Sequence, residues 1–137
     1  MTFLVDADVL SEATKPRPAT KVVNWLSRND SDLVVNPIVL GELEFGILLL
    51  PAGRKRKKLI DWFEAGIQQL NVVEIDAATA AIWARLIADL RRKGRAMPIK
   101  DSLIAASAKQ HGLTIATGNT AHFRHAGVRV VNPFKAA

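Results

Sequence analysis

The chain has 137 residues, which fits one domain with a substantial core, and 49% of them are hydrophobic, which excludes a disordered protein. It contains no cysteine, which excludes disulfides and thiolate metal sites and suits a reducing cytoplasm, where we expect the protein to be located. No apolar run is long enough to span a bilayer, the N-terminus lacks the basic start of a signal peptide, and the net charge of +6 favours polyanionic partners.

Strand-like and helix-like segments alternate along the chain. Short apolar runs rich in Val, Ile and Leu predict strands, and longer segments with apolar residues at helical spacing predict helices. Proline, glycine and polar residues separate these segments. In chain order we predict a strand at 2–5, a short helix at 8–13, a helix from Thr20, a strand at 33–35, a helix at 38–50, a helix through 59–67, a strand at 72–75, a long helix at 77–93, a helix that follows Pro98 and ends at His111, and strands at 113–117 and 128–131.

This alternation indicates an α/β fold in a single domain, residues 1–137, with a central, mostly parallel sheet of four to five strands flanked by helices. No internal repeat or linker divides the chain. The helix at 38–50 is apolar on almost every side, since only Glu42 and Glu44 interrupt it, so we expect it to be buried.

Three carboxylates belong to these otherwise apolar elements. Asp6 ends the first strand-like run, Glu42 lies inside the apolar helix, and Asp101 opens a later helix. A buried carboxylate is unfavourable unless a proton, a cation or a metal compensates its charge. Open α/β sheets bind ligands at the carboxyl ends of their strands, and both Asp6 and Asn119 lie just past predicted strands. Because these ligands are hard oxygens, the pattern predicts Mg²⁺ or Mn²⁺ and metal-dependent phosphoester chemistry on nucleic acid.

Several of these residues also have a purely structural interpretation. Asp6 and Asp101 each precede or open a helix and are compatible with N-caps. Glu44 lies on a different helical face from Glu42 and is compatible with a rim or interface charge. The histidines at 111 and 122 lie near predicted loops, which is typical of surface groups.

The positive charge is clustered in two blocks. A solvated helix end and a phosphate-binding surface are both consistent with such runs. Two blocks in a chain with buried acids favour a nucleic acid substrate. The first block is residues 54–58, and the second comprises Arg91, Arg92, Lys93, Arg95 and Lys100.

Six motifs, in their order and spacing, resemble those of the PIN-domain ribonucleases of VapC type, and most closely their FitB-like branch. The resemblance covers nearly the whole chain. Each motif is weakly specific alone, whereas the ordered set is strongly specific. The motifs are FLVDADVLSE at 3–12, PIVLGELEFGI at 37–47, LPAGR at 50–54, PIKDSLIAASA at 98–108, HGLTIAT at 111–117 and VNPF at 131–134.

The resemblance implies that Asp6, Glu42 and Asp101 form an acidic triad around Mg²⁺, with Asp6 and Asp101 as the direct ligands. Asn119 stands where many members carry a further acid, and Asp8 stands where Asn or Ser is common. The family is made of toxins of type II toxin–antitoxin pairs. Membership therefore implies an endoribonuclease that cuts structured RNA such as tRNA or rRNA, leaves a 5′-phosphate and forms a homodimer. It also implies a small cognate antitoxin that inserts a basic side chain among the acids, which we expect to cover apolar surface near Trp25, Phe45 or Trp62.

Three other hypotheses fit parts of the sequence. A haloacid dehalogenase-like phosphatase also carries an Asp-x-Asp motif after a strand, but Leu10 occupies the place of its threonine. A receiver domain needs a phosphorylatable aspartate at the end of its third strand, which this chain lacks. A catalytically silent RNA-binding module on the PIN scaffold stays open because Asn119 replaces an acid.

Overall fold

The computed structural model describes residues 2–135 and contains one five-stranded, all-parallel sheet. The strands are β1 (Phe3–Val5), β2 (Leu33–Val35), β3 (Asn71–Val72), β4 (Thr114–Ala116) and β5 (Val130–Val131), in the spatial order β3-β2-β1-β4-β5. The α-helices of the described residues are α1 (Ala7–Glu12), α2 (Thr20–Arg28), α3 (Pro37–Leu48), α4 (Arg54–Ala65), α5 (Ala77–Arg92) and α6 (Ile99–His111). Short 3₁₀ helices occupy Asp30–Asp32, Ile67–Gln69 and Thr120–Phe123. The predicted α/β fold with a parallel sheet is confirmed.

The two edge strands are shorter than the sequence predicts. β3 pairs Asn71 and Val72 with residues of β2, and Val73 still donates to the carbonyl of Val35 at 2.8 Å. Beyond Val35 the chain of β2 turns into α3, so residues 74 and 75 have no strand beside them. The apolar run at 72–75 therefore extends beyond the residues that pair with β2.

The strand order places a crevice at the carboxyl ends of β1 and β4. From β1 the chain moves outward to β2 and β3 and then returns across the sheet to β4 and β5. Because such connections are right-handed, the helices of the two halves lie on opposite faces, and loops diverge where the strand order reverses. Neighbouring residues on β1 and β4 are fully buried, as Leu4, Val5, Ile115 and Ala116 show, so both faces are covered. The crevice is where this class of sheet binds its ligands.

Helix α3 is buried on one side only, so the prediction that this helix is buried is wrong for its other side. Val39, Leu43 and Ile47 follow helical spacing and pack into the core. On the other side Phe45 and Leu49 are 62% and 68% exposed. Apolar composition does not distinguish a core face from a face that awaits a partner.

No helix within residues 2–135 is long and apolar enough to cross a membrane.

Candidate metal and active site

The register of β1 and β4 brings Asp6 next to Thr117. Val5 pairs with Ala116, and the Asp6 amide donates to the Ala116 carbonyl at 2.9 Å, so the next residues of both strands emerge side by side. Asp6 Oδ1 accepts a hydrogen bond from the Ala7 amide at 2.8 Å, and Oδ2 accepts one from the Thr117 hydroxyl, also at 2.8 Å. Asp6 is therefore both the N-cap of α1 and a buried carboxylate held at the crevice.

Helices α3 and α6 deliver the other two acids. The α6 N-cap is Pro98, and the carboxylate of Asp101 pairs with His122 Nδ1 at 3.0 Å, so the structure does not support the N-cap interpretation of Asp101. Glu42 lies in α3 with its side chain about a quarter exposed, and its Oε2 is 3.5 Å from Lys100 Nζ. Two acids from separate helices thus each lie beside a basic group at the crevice.

A buried polar contact fixes these two helices against each other. Asn36, which is fully buried, caps α3 by accepting a hydrogen bond from the Val39 amide at 3.0 Å. Its Nδ2 donates to the hydroxyl of Ser107 on α6 at 3.1 Å. Because α3 carries Glu42 and α6 carries Asp101, Asn36 positions both acids.

All four predicted site residues line one cavity. It has a volume of about 280 Å³, and its lining includes the residues that directly follow β1. Glu44 is exposed and does not line it, which agrees with a surface or interface charge. The lining consists of Asp6, Ala7, Asp8, Glu42, Pro98, Lys100, Asp101, Asn119 and His122.

The sequence interpretation missed His122, Lys100 and Thr117 as members of this site. His122 is half exposed, as a surface histidine would be, yet its ring contacts Asp101 inside the cavity. Its only sequence signal is its place in the loop after β4, downstream of Asn119. Thr117 could have been found as the residue that follows β4 in register with Asp6. His111, at the end of α6, is exposed as predicted.

Asp8 is held by a close approach of the backbone after β4. Its Oδ2 accepts a hydrogen bond from the Gly118 amide at 2.8 Å. A methyl group on Gly118 would lie 2.7 Å from that oxygen and 3.0 Å from the Phe134 ring, so glycine is what permits this contact. The other oxygen, Oδ1, is buried and has no hydrogen-bond partner.

Burial, and after it the closeness of other acids, raises the pKa of three carboxyl groups in this cavity. Burial raises the pKa of Asp6, and the charge of Asp101 raises it further, against the hydrogen bonds from Thr117 and Ala7. Burial and then the charge of Asp6 raise the pKa of Asp8. The same two causes raise the pKa of Glu42, although Lys100 opposes them. The metal-free site therefore carries more negative charge than its surroundings stabilise.

The donor set fits a hard divalent cation. Asp8 Oδ1 and Glu42 Oε1 are buried without a hydrogen-bond partner, so two oxygens are available to a cation. Carboxylate oxygens without cysteine are the ligands that Mg²⁺ and Mn²⁺ prefer. Within residues 2–135 no three acids or histidines are already arranged as a complete ligand set. Lys100 and His122 instead pair with Glu42 and Asp101, so an entering ion has to compete with these two basic groups.

The raised pKa values predict how stability depends on pH. An acid whose pKa is raised by folding destabilises the folded state when it is ionised. The destabilisation decreases as pH falls through the raised pKa toward the ordinary value of about 4, because the acid becomes protonated in the folded state. We therefore expect the metal-free protein to gain thermal stability as pH falls from neutral toward the ordinary titration range of a carboxyl group. Asp8→Asn keeps an acceptor for Gly118 and should raise the melting temperature at neutral pH while reducing that gain. Melting curves in chelator measure both, with the exposed Asp61→Asn as control, and a parent-like pH profile for Asp8→Asn would contradict this assignment.

Comparisons with known proteins identify the family of this chain. Residues 3–128 match the family model of the PIN domain. The chain is 37% identical over 136 residues to the protein named Toxin FitB from Neisseria gonorrhoeae, covering 96% of this chain and 98% of that one. It is 28% identical over 127 residues to the tRNA(fMet)-specific endonuclease VapC of Shigella flexneri, with 93% of each covered. It superposes on the crystal structure described as FitAcB from Neisseria gonorrhoeae with a TM-score of 0.92 and 35% identity, covering 98% of this chain and 100% of that one.

The family model and the fold define the class of PIN-domain nucleases, which are metal-dependent in general. The chain belongs to the PIN-domain family, within the group of VapC-type ribonucleases and toxins that includes FitB. This membership confirms the resemblance and excludes the phosphatase hypothesis. The receiver hypothesis also fails, because receiver domains have the strand order 2-1-3-4-5 and this sheet has β3-β2-β1-β4-β5.

Proposed function

We propose that the protein is the toxin of a VapBC-type toxin–antitoxin pair, an endoribonuclease that hydrolyses phosphodiester bonds in structured RNA and requires Mg²⁺, with Mn²⁺ able to substitute. The observation that carries the proposal is the convergence of Asp6, Glu42 and Asp101 on one cavity in a chain with this family membership. The relative named as a tRNA(fMet)-specific endonuclease supports a structured RNA such as tRNA as the substrate.

In this proposal Asp6 and Asp101 hold the ion, with Glu42 as a further ligand. When bound, such an ion supplies charge that polarises phosphoryl oxygens and orients an attacking water. The Thr117 hydroxyl and the Ala7 amide fix the orientation of the Asp6 carboxylate before RNA arrives. Asn119 adds a neutral amide at the rim of the cavity, which makes it a weaker cation ligand than the acid found in many members.

Lys100 and His122 have a second role in the proposal. In the metal-free protein each lies beside one acid of the cavity. When the acids are neutralised by an ion, both side chains are free to turn to phosphate oxygens of RNA at the rim. Side chains that are 65% and 51% exposed can make that change at little cost in burial.

An antitoxin is the proposed partner, and its proposed binding site is a groove beside the acidic cavity. The groove has a volume of about 390 Å³ and shares Ala7, Asp8 and Glu42 with the acidic cavity. Its apolar lining includes Leu43, Ile47, Leu59 and Trp62, and a chain lying there could reach the acids with a basic side chain, as Lys100 reaches Glu42. Trp25 is excluded from this surface, because it is buried edge-to-face against Phe3 with ring centroids 4.9 Å apart.

We further propose that the protein is a cytoplasmic homodimer in which residues 1–137 form one domain. The exposed apolar side chains of α3 and its end, Phe45, Leu48 and Leu49, support a dimer, since contiguous apolar surface of this kind marks interaction sites. Sedimentation of the parent and of Phe45→Ser tests this, with a dimer expected for the parent and a weakened one for the variant.

The proposed activity is tested by incubating end-labelled tRNA with the protein in Mg²⁺, in Mn²⁺ and in EDTA. We expect cleavage with either ion and none with chelator. The alternative, a catalytically silent RNA-binding module, predicts RNA binding without cleavage under every condition. Cleavage that continues at full rate in EDTA would overturn the role given to the acids.

A further inference from the structure

A further cavity, lined mainly by basic rather than acidic side chains, lies between α5, α6 and the loop before β5. Its volume is about 740 Å³. Four cationic side chains and one histidine line it, against a single carboxylate. These six are Arg85, Asp89, Arg92, Lys93, Lys109 and His125, and they define what we call the cationic pocket.

The charge of the cationic pocket is only partly neutralised. Asp89 is shared between Arg92, at 3.9 Å, and Lys93, at 3.6 Å, and all three side chains are well exposed. Exposed pairs of this kind bind weakly, so these cations remain available to a ligand. Lys109 donates to the Ala126 carbonyl at 3.1 Å, which orients its ammonium without cancelling the charge.

Neighbouring residues increase the positive potential. The guanidinium of Arg95 contacts the ring of His125 at the edge of the pocket. Desolvation, followed by the charges of Arg95, Arg124 and Lys93, lowers the pKa of His125. Cations that follow the end of α5 and one that precedes His125 therefore act on the same region of the surface.

The cationic pocket lies near the acidic cavity, because a third cavity has residues in common with both. A small intervening cavity of about 200 Å³ is lined by Pro98, His122 and His125, among others. It shares Pro98 and His122 with the acidic cavity and His125 with the cationic pocket. The small cavity therefore lies between the acidic cavity and the cationic pocket and borders both.

We propose that the cationic pocket binds the phosphodiester backbone of the RNA substrate, at nucleotides flanking the bond that is cut. The proposal rests on the function proposed above. When one RNA phosphate lies at the acidic cavity, the neighbouring phosphates of the same RNA strand lie farther along the protein surface. Those on the side of His125 would reach the cations of the cationic pocket. Backbone contacts of this kind position a nucleic acid without reading its sequence. They also offset the repulsion between the acidic cavity and a polyanion.

The test compares two double variants that remove the same charge. Arg92→Gln/Lys93→Gln changes the pocket, and Lys21→Gln/Arg129→Gln removes two exposed cations that do not line it. Binding of fluorescent tRNA is measured in EDTA over a range of salt concentrations. Each lost phosphate contact reduces the magnitude of the slope of log affinity against log salt concentration by about 0.7 to 0.9. The pocket variant removes two cations, so its slope should be smaller by about 1.5, and it should bind RNA more weakly at every salt concentration. The control variant should keep the parent slope.

A cleavage assay with Mg²⁺ separates the possible failures. The pocket variant should cut long RNA more slowly than the parent as salt rises, and cut a short oligonucleotide that spans only the acids at the parent rate. If the parent cuts no RNA, the proposed function fails. If the parent cuts RNA and both double variants keep its salt slope, the cationic pocket is not an RNA site. Unchanged RNA binding with lost affinity for an acidic partner protein would likewise overturn the proposal.

Discussion

Asp101→Asn is expected to reduce metal-dependent RNA cleavage by at least about a hundredfold. Mutation of a residue that only hydrogen-bonds a metal ligand typically lowers activity about 10–100-fold, and loss of a ligand itself should lower it more. The amide keeps the shape of the carboxylate and removes the charge that holds a divalent ion. Asp6→Asn should be as severe, although its amide can accept from only one of Ala7 and Thr117, so part of its effect is structural. Initial cleavage rates and melting temperatures, measured together, separate the two contributions.

Glu44→Gln is the matched control for these variants, because Glu44 lies on the same helix, α3, as Glu42, the third acid. Glu42→Gln should be severe, since Glu42 lines the cavity, whereas Glu44→Gln should be close to the parent, since Glu44 is exposed outside it. Equal losses in these two would show that the wrong face of α3 has been assigned to the site. Undiminished cleavage by Asp101→Asn would contradict the assignment of a metal site to these acids.

Asn36→Ala is expected to lower the free energy of unfolding by about 2–4 kcal/mol. The loss of an N-cap costs about 1 kcal/mol, and a buried polar group left without a partner costs about 1–3 kcal/mol. Both apply here, because Asn36 caps α3 at Val39 and donates to Ser107 on α6. Denaturant unfolding measures the loss, with the exposed helix residue Asn24 as the control position.

Asn36 also provides a test of how the two helices are coupled. Ser107→Ala leaves the Asn36 amide unpaired, so the double variant should lose less than the sum of the single losses. A loss of 0.5 kcal/mol or less for Asn36→Ala, which is the ordinary range for a surface substitution, would contradict its role.

The fold was predictable because its signals are local. Apolar runs such as residues 3–5 and 33–35 become buried strands, and the alternation with helices specifies a parallel sheet. The acids were recognisable for a related reason, since Asp6, Glu42 and Asp101 are charges within apolar elements. The cavity that joins them is consistent with that interpretation.

The remaining features depend on contacts between distant segments. Thr117 joins the site through strand register, and His122 through the position of a 3₁₀ helix, neither of which leaves a pattern in the sequence. The exposed face of α3 was mispredicted because apolar side chains look the same in a core and in an interface. β3 was predicted too long because the length of its partner strand limits its ladder.

The central claim is that the acidic cavity binds a divalent ion that RNA cleavage requires. It is tested most directly by Mn²⁺ binding to the parent and to the Asp6→Asn/Asp101→Asn double variant, followed through the electron paramagnetic resonance signal of free Mn²⁺. We predict that the parent removes free Mn²⁺ from solution, that Mg²⁺ competes, and that the double variant removes none. Equal Mn²⁺ binding by both proteins, or RNA cleavage by a parent that binds no ion, would contradict this account.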